Sequence, residues 1–409
     1  MTRQNMNKKK TVLLFQRYLR KHILNFGIEL KNFEFVRPLS LPKSKPRVHI
    51  QNIEEVFSRK KTTVLSYIRR IFGIPNVRIK FTQEDLIFTY GTLLITNRPY
   101  CVYIENGLAI FNYDSKIAKN LIARILFYIL IRMKNFQKII FMSHAAEKSF
   151  HGTLKLDLAS EKIIKEKSVI CYPLIKNNSD KETSRRLKDG KELKFLFAGT
   201  FYIKGGLETV CAFNRLNEDY PNTTLTIITE IDGIRHEDLS RMQSMRGVSV
   251  YDTQFSEKEM LEFFNSSDVF LLPTYRDSFG LVLIEALSAS LPIISNDQLA
   301  TNEMVVNGFN GFLYESHPLR DYDSRTLELY GNLYEPYVFY RTLFKLQSEG
   351  KMRDVENFIY NSMLQFVQDP KTLLEFSRNS KALYNKKFHH QLISDTIESA
   401  FSDALDING

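Results

Sequence analysis

From about residue 85 onward, short runs of β-branched and aromatic residues alternate with longer helical patterns, and this alternation constrains the fold more than any other feature of the chain. Strands separated by helix-length segments belong to a parallel sheet with crossover connections, so this is an α/β protein. In the first half the strands read as Leu86–Thr89, Tyr100–Ile104, Lys138–Met142 and Ser168–Tyr172, while the opening 80 residues show no clear order. Residues 176–190, with Asn177, Asn178, Ser179 and Asp180 ahead of a run of charges, have no apolar periodicity and read as a linker. A second pattern follows at once, with strands at Lys194–Ala198, Leu225–Ile228, Val248–Tyr251, Val269–Leu272 and Pro292–Ser295. The expected division is a Rossmann-like domain over 1–175, the linker 176–190 and a second Rossmann-like domain over 191–382. A last unit, 383–409, is expected to be a helix, roughly Leu383–Ile407, that crosses back to brace the first domain. A chain of 409 residues is long enough for two such cores.

Charge is divided unevenly between the halves. Residues 1–150 hold 27 Lys and Arg against 9 Asp and Glu, a net of +18, which leaves −8 for the rest of a chain whose total is +10. The first half is therefore expected to face something anionic, either phospholipid or a phosphate-bearing substrate. Lys116, Asn120, Arg124, Tyr128 and Arg132 lie four apart, which predicts a helix over Lys116–Asn135 with a basic edge. It would serve either as a core helix or as a helix lying on an anionic membrane surface. No nucleic-acid-binding motif accompanies the charge, so nucleic acid is not an expected partner. The apolar run Leu121–Ile131, about 11 residues interrupted by Arg124, is short of the roughly 20 that a membrane span needs. Near the N-terminus, Arg17, Arg20 and Lys21 interrupt the apolar patch before a secretory core could form. Cys101, Cys171 and Cys211 are far apart and read as reduced thiols. Together these point to a cytoplasmic location, peripheral on the inner membrane face if the basic half docks there.

Two segments carry chemistry. Phe195-Leu196-Phe197-Ala198-Gly199 is an apolar strand, followed by a loop that ends in Lys204-Gly205-Gly206 and a helical pattern over Leu207–Leu216. Glycines at such a turn let backbone amides approach a phosphate, and Lys204 and the helix start add positive charge. Taken alone, a Gly-Gly before a helix is more often only a turn. The second segment is a complete strand-loop-helix-strand unit: Val269–Pro273, then Thr274-Tyr275-Arg276-Asp277-Ser278-Phe279-Gly280, a helix over Leu281–Ala289, and Leu291–Ile294. Asp277 falls at the strand's C-terminal end, where open α/β sheets bind ligands, and the amides of residues 280–282 are expected to face an anion. Glu285 sits eight residues on in a nearly apolar helix, where an unpaired carboxylate would be costly. The structural alternative makes Asp277 a helix-start acid and Glu285 a solvated residue.

Asp277, Phe279-Gly280, Glu285-Ala286 and Pro292, with Asn310-Gly311-Phe312-Leu313 downstream and Lys204-Gly205-Gly206 upstream, resemble the retaining GT-B glycosyltransferases of group 1. That family includes bacterial lipopolysaccharide and glycogen-synthase-like enzymes. The resemblance covers roughly residues 190–315. It implies a GT-B fold, two Rossmann-like domains facing each other across a cleft, with the acceptor on the N-terminal side and a UDP-, GDP- or ADP-sugar on the C-terminal side. The implied activity is transfer of a sugar, with retained configuration, to a glycan or lipid-linked acceptor in cell-surface polysaccharide synthesis. On this pattern Lys204 neutralises the diphosphate, Glu285 accepts from the ribose hydroxyls and Asp277 meets the donor sugar. Gly205, Gly206, Phe279, Gly280 and Leu281 then line the nucleotide, and Thr253 and Gln254 lie near the base.

Two departures stand out. The first acid is Asp where the family usually has Glu, and the arginine often found shortly before the Lys-Gly pair is absent from Thr200–Ile203. Where many relatives carry a histidine in the first domain, this chain reads Glu105-Asn106-Gly107; Glu105 either positions a substrate or belongs to a simple polar turn. Asp321-Tyr322-Asp323 imitates a metal-binding Asp-x-Asp but follows His317-Pro318-Leu319-Arg320 instead of an apolar strand, and reads as a loop. No metal and no cofactor are expected. The rival readings are a GT-B nucleotide-sugar epimerase or hydrolase, and a basic membrane-binding protein with a non-catalytic sugar-nucleotide domain.

Overall fold

The computed structural model describes residues 9–16, 21–36, 72–175, 192–333 and 336–406; the expected linker at 176–190 lies outside them. The first half contains β1 (Lys10–Phe15), β2 (Phe33–Val36), β3 (Val77–Ile79), β4 (Leu86–Tyr90), β5 (Leu93–Ile95), β6 (Tyr100–Ile104), β7 (Phe136–Phe141) and β8 (Ser168–Ile170). Six of these form one parallel sheet in the order β2-β1-β4-β6-β7-β8, while β3 and β5 make a separate pair. Every residue of β6 is buried, the continuous apolar pattern of a strand covered on both faces. β1 was hidden in the sequence because its apolar residues follow a lysine run. In the fold it is interior to the sheet, with Val12, Leu13 and Leu14 at most 5% exposed.

The second half contributes β9 (Leu193–Ala198), β10 (Thr223–Thr229), β11 (Val248–Asp252), β12 (Val269–Leu272), β13 (Ile293–Asn296) and β14 (Gly311–Tyr314). Their order is β11-β10-β9-β12-β13-β14, all parallel. Counted from β9 this is 3-2-1-4-5-6, the dinucleotide-binding order, and its direction reverses between β9 and β12.

Two expectations about helices are corrected. The helix expected over Lys116–Asn135 is two, Ser115–Lys119 and Leu121–Arg132, because Asn120 leaves the helical conformation and its Oδ1 accepts from the amides of Ile122 and Ala123. The second of these buries Ala123, Phe127, Leu130 and Ile131. Four further apolar residues, Leu121, Ile122, Ile125 and Ile129, face outward at 46–71% exposure. The helix expected from Leu383 begins instead at His390 and runs to Asp406, since Tyr384–Phe388 forms a wider π turn after the helix Pro370–Leu383. This last helix lies against the first sheet. The Phe401 ring packs on Phe88 and Phe33, with centroids 5.1 and 5.5 Å away, and Glu398 accepts from the amides of Lys31 and Asn32. No helix among the described residues is long and apolar enough to cross a membrane.

Candidate active site

The loops after β9 and β12 meet where the second sheet reverses its order. Lys204, at the end of the β9 loop, is ion-paired with Asp277 Oδ2 and donates to the Arg276 carbonyl at 3.2 Å. Both charged side chains are about one-fifth exposed, so the pair is accessible from the cleft yet poorly hydrated. Gly205 makes this approach possible: it adopts φ +75°, and a Cβ there would run into the Pro273 carbonyl at the end of β12. A Cβ on Gly206 would collide with the Phe201 ring. These glycines are packing devices, for their amides turn inward to the carbonyls of Tyr202 (3.3 Å) and Phe201 (2.7 Å), where the sequence had suggested phosphate donors.

Asp277 organises its own loop. Its Oδ1 accepts from the amides of Phe279 (3.2 Å) and Gly280 (3.0 Å). The Gly280 amide is therefore engaged, and the unpaired donors at the start of the helix Leu281–Ser288 are those of Leu281 and Val282, the ordinary orphans of a helix N-terminus. Gly280 itself, at φ +86°, allows the turn into that helix. The Phe279 ring does not face the cleft: it is 2% exposed and stands 6.1 Å from the ring of Tyr172 in the first half. Glu285 lies one turn into the same helix and is half-buried. Thr253 and Gln254 follow edge strand β11, two strands from β9, and both bond Asp252: the Thr253 amide at 2.8 Å and Gln254 Nε2 at 3.0 Å. Behind the β9 loop, Glu208 is buried and accepts from Gln347 at 2.9 Å; burial pushes its carboxyl pKa up.

Across the cleft, Glu105 at the end of β6 accepts from the Tyr113 hydroxyl, within its own half. Its neighbour Asn106 makes the contact that sequence reasoning missed, donating from Nδ2 to Ser278 Oγ at 2.8 Å. A second unforeseen bridge is Glu303, which accepts from the Ala145 amide (2.8 Å), the His144 amide (3.2 Å) and the Tyr172 hydroxyl (2.7 Å). Beside it opens a pocket of about 240 Å³, where Lys148 of the first half faces Asp297, Asn302 and Arg320 of the second. Burial raises the pKa of Asp297. The Asp-x-Asp imitation closes this side of the seam. Asp321 accepts from the Leu333 amide and Asp323 from those of Arg325 and Thr326, so both carboxylates serve the loop. Glu328 on the same loop lies 3.5 Å from Lys119 and 3.6 Å from Lys155.

Residues 178–325 match the family model described as "Glycosyl transferases group 1". Over 132 residues the chain is 30% identical to a glycogen synthase of Mycobacterium tuberculosis, an alignment covering 31% of each chain. It is 29% identical over 133 residues to the D-inositol 3-phosphate glycosyltransferase of an Arthrobacter species, covering 31% of this chain and 32% of that one. The chain thus matches about a third of the length of these curated relatives. Among solved structures it is similar to Anabaena HepE in complex with UDP and glucose, with a TM-score of 0.58, 13% identity, and coverage of 97% of this chain and 100% of that one. A match of that extent at so low an identity establishes the GT-B architecture for the described residues of both halves. Residues 178–325 of this GT-B chain, which carry Lys204 and Asp277 at the sheet reversal, are thus similar to the group 1 glycosyltransferases.

Proposed function

We propose that the protein transfers a sugar from a nucleoside diphosphate sugar to a glycan or lipid-linked acceptor, with retention of configuration, in the synthesis of a cell-surface polysaccharide. The observation that carries this reading is the meeting of Lys204 with Asp277, on the loop that leads into the helix whose first amides, Leu281 and Val282, are free. Leaving diphosphate develops negative charge, and a preoriented cation with helix-start amides in a poorly hydrated cleft is suited to meet it. On this reading the diphosphate draws Lys204 away from Asp277. Asp277 stays anchored through Oδ1 to two amides, which leaves Oδ2 for a hydroxyl of the donor sugar. Glu285 accepts from the ribose and the Thr253–Gln254 loop borders the base. A leaving phosphate oxygen takes the acceptor's proton, so no base from the protein, no cofactor and no metal ion is needed.

The donor half spans 191–382 on this reading and the acceptor half 1–175. The +18 of residues 1–150, together with the outward aliphatic face of Leu121, Ile122, Ile125 and Ile129, supports docking of the acceptor half on an anionic membrane from the cytoplasmic side.

The test is a product analysis. Purified protein with UDP-, GDP- and ADP-sugars and a membrane-lipid extract should yield a new glycosidic bond of the donor's anomeric configuration, in excess EDTA, as followed by NMR. Free sugar alone, an epimerised donor, or activity that returns only with added Mg²⁺ would contradict it.

A further inference from the structure

Asn106 is fully buried at the turn after β6, in the half that does not carry Lys204 or Asp277. Both functions of its side chain are spent. Its Oδ1 accepts from the Leu108 amide at 2.9 Å and fixes the turn, and its Nδ2 donates across the cleft to Ser278 Oγ at 2.8 Å. The turn has no slack, because a Cβ on Gly107 would run into Ser149 and Thr153. The next residue of the opposing loop, Phe279, packs beside Tyr172, whose hydroxyl is held by Glu303. Two consecutive residues of the second half's loop are therefore gripped by the first half. They lie between Asp277, which pairs with Lys204, and Gly280, which starts the helix with the free amides.

We infer that Asn106 is a positioning residue of the donor site: through Ser278 it sets the loop that carries Asp277, so the nucleotide affinity of the second half depends on the first half being seated against it. The inference rests on the reading of Lys204 and the 277–280 loop as the donor site. A buried asparagine that served only its own turn would leave nucleotide binding on the opposite half untouched.

The experiment measures affinity for UDP, GDP and ADP by titration calorimetry, with melting temperature as a check on folding. Asn106→Leu, close in size and without hydrogen-bonding atoms, and Ser278→Ala should each weaken the preferred nucleotide roughly three- to tenfold, the range of one hydrogen bond. The double variant should be no worse than either single one. Asn106→Asp should retain most of the affinity, because the Ser278 hydroxyl can turn to donate to it. Unchanged affinity in folded Asn106→Leu, or additive losses in the double variant, would overturn the inference while Lys204→Ala still loses binding. Were Asn106→Leu not to fold, Ser278→Ala alone decides. If Lys204→Ala also binds normally, the donor-site reading itself falls and takes the inference with it.

Discussion

Replacing Gly205 by alanine should cost more than any small change at an exposed glycine, and it should do so at the active site. The residue stands at φ +75°, a conformation that costs a non-glycine residue about 1–3 kcal/mol. The added Cβ would lie 2.8 Å from Pro273 Cγ and also meet the Pro273 carbonyl, and both belong to the residue directly after β12, a ring and a backbone group that cannot yield as a flexible side chain would. Overpacking of this kind typically adds about 1–3 kcal/mol. We expect a loss near 3 kcal/mol in urea unfolding, followed by far-UV circular dichroism because the chain has no tryptophan. Gly233→Ala is the control: a Cβ there meets nothing within 4 Å, and the change should be neutral or stabilise by up to about 1 kcal/mol. Since Gly205 follows Lys204 directly, relief of the clash would also move the ammonium, and nucleotide affinity should fall with stability. A Gly205→Ala protein as stable as the Gly233→Ala control, with wild-type nucleotide binding, would refute the argument that close approach of the β9 and β12 loops requires this glycine.

Phe401→Ala should destabilise the protein by about 3–5 kcal/mol in chemical denaturation, because the ring is fully buried against Phe33 and Phe88; a loss below 1 kcal/mol would mean that the last helix does not brace the first sheet. His317 is buried, which, with the Arg320 charge nearby, depresses its pKa to about 3 from 6.5. The unfolded chain therefore binds the extra proton first, so stability is full above pH 6.5 and falls by about 1.4 kcal/mol per unit as pH drops toward 3. His317→Asn should flatten that slope by one proton, and an unchanged slope would contradict the assignment. Sedimentation with anionic vesicles should recover the protein at low salt and lose it as salt shortens the screening length from about 10 Å at 0.1 M to about 3 Å at 1 M. Ile125→Glu/Ile129→Glu should abolish recovery at any salt, whereas equal recovery on neutral vesicles would refute docking by charge.

The legible parts of this molecule were those encoded locally. β12, its loop, the following helix and β13 form one contiguous pattern, and the places of Lys204 and Asp277 at strand ends could be read because glycines mark them. β1 escaped because a strand of six residues beside a lysine run carries no periodicity that distinguishes it from a charged leader. Contacts between the halves left no local trace: Asn106 and Ser278 are 172 residues apart, and Tyr172 and Glu303 are 131 apart. The surroundings of the Phe279 ring were hidden for a related reason. Next to a ligand-loop glycine an aromatic ring suggests a ligand contact, and only the tertiary arrangement reveals Tyr172 beside it. The helix Leu121–Arg132 is apolar on two faces, and periodicity cannot say which one the fold turns outward.

The central claim is that the second half holds a nucleoside diphosphate sugar through Lys204 at the reversal of its sheet. Its most direct measurement is calorimetric titration of wild type, Lys204→Ala and Lys204→Arg with UDP-, GDP- and ADP-glucose. The account predicts saturable one-to-one binding of one of the three to wild type, a loss of at least about tenfold in Lys204→Ala, as for removal of a charge-assisted contact, and partial recovery in Lys204→Arg. Equal affinity in wild type and a folded Lys204→Ala would contradict it.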